Sequence, residues 1–425
     1  MQTTLNRCTF PLADVSGFKQ KVLNWLKPFG IFCYLDNQQY AIAPQEAECL
    51  VAAGVRTFIE GNDIKDADVF LTEHPWAFGH LSYELKTGLR PLPPIKNDVI
   101  GFPLFYLFSP QIVLEINNHE LVVHAAEPEK IFEDINRLQP LQESPRSVAI
   151  RPLPVLTKAE YIKRVEALQQ HILRGDCYEI NFCQAFLAHD AVVDAFSAFQ
   201  RLMQVSPNPF SAFYRLNEKF LLCASPERFL MKKGRRIVSQ PIKGTAKRDL
   251  SSPVADERAK ETLRSSQKEQ SENVMIVDLV RNDLTRVCNE ASVKVEELFG
   301  IYTFPQLHQM ITTVSGELKN ELPFSKIIDA TFPMGSMTGA PKYRVMQLIE
   351  EYEPTARGIF SGSVGYITPS GDFDFNVVIR SIMYNQTKRS LSYQVGSAIT
   401  FYSNPEKEWE ECMLKAEAIR QVLAG

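Results

Sequence analysis

Residues 157–184 place two incompatible periodicities back to back, and that junction limits the fold more than any other stretch of the chain. Thr157 with Glu160 three residues on forms a capping box, and Tyr161, Val165, Leu168 and Ile172 follow at helical spacing until Gly175 stops the helix. From Cys177 to Gln184 the period falls to two, which puts Tyr178, Ile180 and Phe182 on a packed face and Glu179 and Asn181 on a face lining something polar. Further strand patterns occur at Phe220 to Ala224 and Phe229 to Ile237, separated by the strand-breaking corner Ser225-Pro226-Glu227-Arg228. Upstream, Pro103 to Phe108, Gln111 to Ile116 and Glu120 to His124 read as short antiparallel strands with a hairpin at Asn117-Asn118. Strands mixed with amphipathic helices predict an α+β protein.

A proline-rich connector, Gln139 to Pro145 and Arg151 to Pro154, gives the best boundary: an N-terminal region over 1–150 and a main region over 151–425, with the two parts interleaved in one globule. At 45% hydrophobic and 23% charged residues, the 425-residue chain is globular rather than disordered. A net charge of −4 with no long basic run argues against nucleic-acid or membrane binding. No secretory h-region or membrane-length apolar stretch is visible, so the expected location is cytoplasmic. The eight cysteines show no Cys-x-x-Cys spacing and read as buried thiols.

Three features carry chemistry. Lys243, in Pro241-Ile242-Lys243-Gly244-Thr245, is a primary amine in a turn where backbone can approach a ligand, which suits an anion contact or a nucleophile. Glu269 with Glu272, and Glu408 with Glu411, are carboxylate pairs spaced i, i+3 in helix-compatible segments (265–279 and 405–423), so each pair shares a face. Alone, such a pair is usually a solvated face; two pairs facing each other would make an oxygen-rich Mg²⁺ site. In Phe373 to Ile382 the alternation places Asp374, Asn376 and Arg380 on one strand face, and a guanidinium there suits carboxylate binding.

Taken together, Ser225-Pro226-Glu227-Arg228-Phe229, Pro241 to Thr245, Glu269-x-x-Glu272-Asn273, Val277 to Leu284, Gly335-Ser336-Met337-Thr338-Gly339-Ala340-Pro341-Lys342, Gly365-Tyr366, Ile379-Arg380 and Glu408 to Lys415 resemble, in order, the motifs of the chorismate-utilising enzymes. The resemblance covers essentially all of 157–420. It implies two packed antiparallel sheets with helices outside, and Mg²⁺ held by Glu269, Glu272, Glu408 and Glu411. It further implies that Arg380 and Tyr366 hold the enolpyruvyl carboxylate, with Thr338, Lys415 and the backbone around Gly244, Thr245 and Gly396 supplying other substrate contacts.

Within that family a lysine in Pro-Ile-Lys-Gly-Thr resembles aminodeoxychorismate synthase component I, whereas anthranilate synthases typically carry Ala there. The resemblance implies that Lys243 attacks C2 of chorismate and displaces the C4 hydroxyl. Glu227 would act as the general acid and base, and ammonia from a separate glutamine amidotransferase subunit would then add at C4. Attack needs the neutral amine, so the Lys243 pKa is expected to be lowered by desolvation or by a nearby cation such as Mg²⁺. The chain itself shows no Gly-x-Cys-x-Gly elbow. An anthranilate synthase component I is the alternative; an isochorismate synthase is disfavoured because Glu179 stands near the position of its water-activating lysine. A catalytically silent chorismate-binding subunit is motivated by Gln309, where many relatives place His; His308, one residue away, points to the opposite strand face and reads as structural. Two further departures are Gly396-Ser397-Ala398 in place of Gly-x-Gly, and Cys33 to Asn37 where tryptophan-sensing relatives carry Leu-Leu-Glu-Ser.

Overall fold

The computed structural model describes residues 5–40, 47–85, 96, 98–142, 149–304 and 307–424; Glu143, Ser144 and Pro145 of the connector lie outside the described residues. Its strands form one continuous antiparallel hydrogen-bonded network with two arms. Both arms grow from the long pair Cys49–Gly61 and Phe105–Asn117. One arm continues through Ile31–Asp36, Phe210–Leu216, Lys219–Ser225, Ser381–Asn385 and Ser390–Ile399 to Glu179–Ala188. The other runs through Ala77–Leu81, Ser363–Ile367, Phe373–Asn376, Arg228–Lys233 and Arg236–Gln240 to Leu307–Glu317, which also carries Ile242–Lys247 and Lys294–Thr303. Strands from before residue 150 thus hydrogen-bond to strands from after it.

Side-chain alternation explains how the arms pack. In the first arm Phe32, Tyr34, Phe213, Phe220 and Leu222 share a core with the helices Val15–Trp25, Lys158–Leu173 and Ala195–Val205, while Cys33, Ala212, Tyr214, Leu221 and Cys223 join the second core. In the second arm Phe373 and Phe375 pack on Phe324 of the helix Phe324–Thr331. Asp374 and Asn376 take the opposite face, towards the first arm. Asp374 pairs with Arg228 at 2.9 Å, the Arg228 guanidinium lies 4.8 Å from the Phe210 ring centre, and Asn376 Nδ2 donates to Phe210 O. The space between the arms is therefore partly polar.

The capped helix forms over Lys158–Leu173 with both capping-box bonds, and Gly175 follows it at φ +82°. Several expectations need correction. Tyr178 lies just before the strand and is 67% exposed, whereas Ile180 and Phe182 are buried. Pro103 to Ile116 does not divide into two strands: Phe105–Asn117 is continuous, because Pro110 sits beside a bulge at Val55 to Thr57 where its missing N–H costs little. Phe229 to Ile237 is two strands turned at Gly234, φ +58°. The eight cysteines form no disulfide, and all but Cys8 are buried.

One buried cation ties these parts together. The Arg357 guanidinium donates to Glu353 at 2.6 and 2.9 Å, to Met337 O at 2.6 Å and to Asn181 O at 2.8 Å, and it lies 4.4 Å from the Tyr83 ring centre. Glu84 accepts from the Arg357 and Gly358 amides. Arg357→Leu leaves Glu353 charged and buried, so we expect a loss of about 3–5 kcal/mol. Urea denaturation measures it, and a loss under about 1 kcal/mol would show the cation to be dispensable.

Candidate active site

The Lys243 loop is shaped by a bulge. Ile242 pairs with Ile311 and Thr245 with Gln309, which leaves one extra residue on the 242–245 side. Gly244 accommodates it at φ +93°, where a Cβ would come 3.1 Å from Glu269 Oε2. Lys243 reaches the other arm and donates to Glu179 Oε1 at 2.8 Å. The sequence placed Glu179 on a polar face, near the position of a catalytic lysine in isochorismate synthases, but did not reveal this partner.

The charge on Lys243 runs against expectation. Burial disfavours the ammonium, but Glu179, Glu272 and Glu227 outweigh it and hold the pKa above the ordinary lysine value rather than below it. A lysine enclosed by carboxylates stays protonated until something neutralises them.

Glu227 occupies the corner between Lys219–Ser225 and Arg228–Lys233, fixed by its amide bond to Ser225 Oγ and by Val377 N–H to its carbonyl. Burial pushes its carboxyl up to about 7, against Ser336, Lys243, the Ile242 amide and Arg380, which all favour the charged form. That value suits a group exchanging a proton near neutrality. Arg380 is not on a continuous strand. The chain leaves regular structure after Asn376 and resumes at Ser381, with Arg380 at φ +51° and its carbonyl bonded to Ala224 N–H. Burial pushes its guanidinium down to about 10, with Glu227 opposing. Asp374 and Asn376, predicted to share its face, are committed to Arg228 and to the Val364 amide.

Each carboxylate pair starts in the first turn of its helix, with Glu269 and Glu408, and ends in the second. Glu269 and Glu272 lie in the first turns of Gln267–Thr285, capped by Ser266; Glu408 and Glu411 lie in Pro405–Lys415, capped by Asn404. The Lys268 ammonium sits between the helices, 3.7 Å from Glu272 Oε1 and 3.7 Å from Glu408 Oε1. Burial pushes the Glu272 carboxyl up to about 7, with Glu179 and Glu269 adding to the rise. Lys415 donates to Glu411 at 2.7 Å and to Gly396 O at 2.8 Å. Among the described residues no three His, Cys, Asp or Glu side chains form a ready-made metal cage. Glu272 Oε1, Glu408 Oε2 and Glu179 Oε2 are nevertheless buried without a hydrogen-bond partner, so the carboxylates keep lone pairs free for a cation.

Other candidates divide. Thr338 is buried, and its hydroxyl is engaged with the carbonyls of Met334 and Gly335. Thr245 is exposed at the rim. Gly396 lies opposite Cys183, and a Cβ there would meet Cys183 Sγ at 2.7 Å. Tyr366 pairs with Asp374, stacks on Phe78, and lines a small cavity of about 60 Å³ with Asp36, Phe210, Ser211 and Asn376. His308 is buried between Asp256 Oδ1 (2.8 Å) and Thr303 Oγ1 (3.1 Å), a structural placement. Removing the nearest counter-charge should free the amine. Glu179→Gln lowers the Lys243 pKa, so amine-directed labelling of its peptide at about pH 8 accelerates, as read by mass spectrometry; an unchanged rate would mean Glu179 does not govern that charge.

The profile of the chorismate binding enzyme family matches residues 27–421. The aminodeoxychorismate synthase component 1 of Salmonella typhimurium is 40% identical over 264 residues, 62% of this chain and 57% of that protein. An anthranilate synthase component I-like protein of Synechocystis is 31% identical over 370 residues, 86% of this chain and 76% of that one. The chain thus spans under two thirds of the length of the first of these relatives. In fold, it resembles the menaquinone-specific isochorismate synthase MenF of Escherichia coli (TM-score 0.79, 18% identity, 99% of this chain and 94% of that one). Anthranilate synthase component I of Streptococcus pneumoniae is similar too (TM-score 0.74, 21% identity, 99% and 93%). With a family match across nearly its whole length, the chain belongs to the chorismate-binding enzymes.

Proposed function

We propose that this protein aminates chorismate at C4, giving 4-amino-4-deoxychorismate for para-aminobenzoate and folate synthesis, with ammonia supplied by a separate glutamine amidotransferase subunit. The observation that carries the reading is a lysine and a near-neutral carboxyl in one buried cluster, Lys243 and Glu227 each acting on the other's charge. The component 1 relatives, named for this activity, support it.

In this reading the Lys243 amine forms a bond to C2 of the ring, both conjugated ring double bonds shift by one position, and the C4 hydroxyl leaves as water with a proton from Glu227. Ammonia then adds at C4 and gives up a proton to the Glu227 carboxylate, both double bonds shift back, and the lysine leaves C2 with its electron pair restored. Splitting one hard substitution into two eases departure of a poor leaving group. Arg380, beside Glu227 and with no ion pair among the described residues, is placed to receive a substrate carboxylate. Glu272, Glu408, Glu269 and Glu411 would hold Mg²⁺, which supplies charge to neutralise the ring carboxylate. The resting site holds Lys243 protonated, so the reaction requires the carboxylates around it to be neutralised first.

The test is the purified chain with chorismate, an ammonium salt and Mg²⁺, the product identified by mass. We expect aminodeoxychorismate, loss of activity without Mg²⁺, and loss of most activity in Lys243→Ala. Anthranilate as product would instead support the rival reading that the Synechocystis relative's name favours, and full activity in Lys243→Ala would remove the covalent step. Glu227 also sets a pH limb. Its folded pKa is raised to about 7, and the acid form is the one needed, so kcat/KM measured across pH should fall as pH rises through about 7. Glu227→Gln should lose that limb and on the order of 10²–10⁴-fold in rate; a variant that keeps both would exclude Glu227 as the acid.

A further inference from the structure

Gln309 is 1% exposed, and both its amide nitrogen and its amide oxygen are buried without a hydrogen-bond partner. Leaving one such atom unmet is costly and leaving both is rare, so the amide calls for a ligand. Its direction follows from its strand neighbours. His308 and Thr312 bond to Asp256 and Asn273, on the two helices that flank this ladder, so Gln309, Ile311 and Thr313 project from the other face. On that face Thr313 accepts from Gln240, the partner of Arg228, whose guanidinium stacks on Phe210 of the other arm. Gln309 therefore looks into the space between the arms, two residues and about 7 Å along the strand from Ile311. Ile311 is paired with Ile242, whose amide acts on Glu227 and which adjoins Lys243. Thr245, opposite Gln309, is exposed, so the pair runs from the buried amide to the surface.

An amide side chain both donates and accepts, and it carries no charge to match a carboxylate. Chorismate offers two carboxylates, an ether oxygen and one hydroxyl, and the hydroxyl at C4 is its only group that donates and accepts at neutral pH. We propose that Gln309 is a substrate-binding residue whose amide hydrogen-bonds the C4 hydroxyl of chorismate, holding the departing group beside Glu227. This rests on the functional reading above and adds to it the residue that recognises the substituent being exchanged.

The experiment is titration calorimetry of the full chain with chorismate and with an analogue lacking the C4 hydroxyl, in wild type and in Gln309→Met, alongside thermal melts of the unliganded proteins. Gln309→Met should weaken chorismate binding on the order of 10- to 100-fold, leave the analogue unaffected, and keep the melting temperature the same or higher, since it removes an unmet buried amide. Equal weakening for both ligands, or chorismate affinity within about twofold of wild type, overturns the proposal, as does a large fall in melting temperature. The near-isosteric Gln309→Glu gives a second reading: its carboxylate repels the dianion, so chorismate affinity should drop further than in Gln309→Met, and unchanged affinity counts against the contact. Wild type that binds and aminates chorismate while Gln309→Met behaves identically removes this inference alone; wild type that does not bind chorismate removes the functional reading instead.

Discussion

The buried guanidinium of Arg357 is the constraint on which the site depends. Its hydrogen bonds fasten the Glu179–Ala188 strand through Asn181, the Gly335–Met337 turn through Met337, and the start of the next segment through Glu353, while Tyr83 and Glu84 bring in the N-terminal part of the chain. Glu353 also accepts from the Cys183 amide, so it is met from both sides. Those pieces carry Glu179 and Ser336, the groups that touch Lys243 and act on Glu227. Gly339 adds a steric requirement: a Cβ there would fall 2.0 Å from Glu179 O, so only glycine lets that turn lie against the strand. Position in the site thus follows from burial elsewhere.

The site is a balance of like and unlike charges rather than a set of independent groups. Five carboxylates, Glu179, Glu227, Glu269, Glu272 and Glu408, stand near only a few cations, of which Lys243 and Lys268 are the nearest. Burial raises Glu227 and Glu272 into the neutral range, while the same carboxylates raise Lys243. A change in any one group therefore moves the proton occupancy of the others.

What the sequence made legible was local. The capping box at Thr157, the i, i+3 glutamates and the corner at Glu227 each follow from spacing within a few residues, and each forms where it was predicted. The errors arise where distant contacts override the pattern. Arg380 reads as an alternating strand residue, yet the backbone bonds from Val377 to Glu227 and from Ala224 to Arg380 pull the chain out of register. Pro110 reads as a break, yet a bulge in a strand more than fifty residues earlier absorbs it. In the metal-free site the Lys243 shift runs upward because it depends on Glu179 and Glu272, which lie 64 and 29 residues away in the chain and are invisible to any window around the lysine.

The ion pair between Lys243 and Glu179 has a protective side. A free, unprotonated lysine amine in a cell reacts with carbon dioxide, aldehydes and other stray electrophiles. Held as an ammonium within an anionic cage, the same amine has no lone pair to offer. The ion pair thus keeps the buried amine chemically quiet in the unliganded protein.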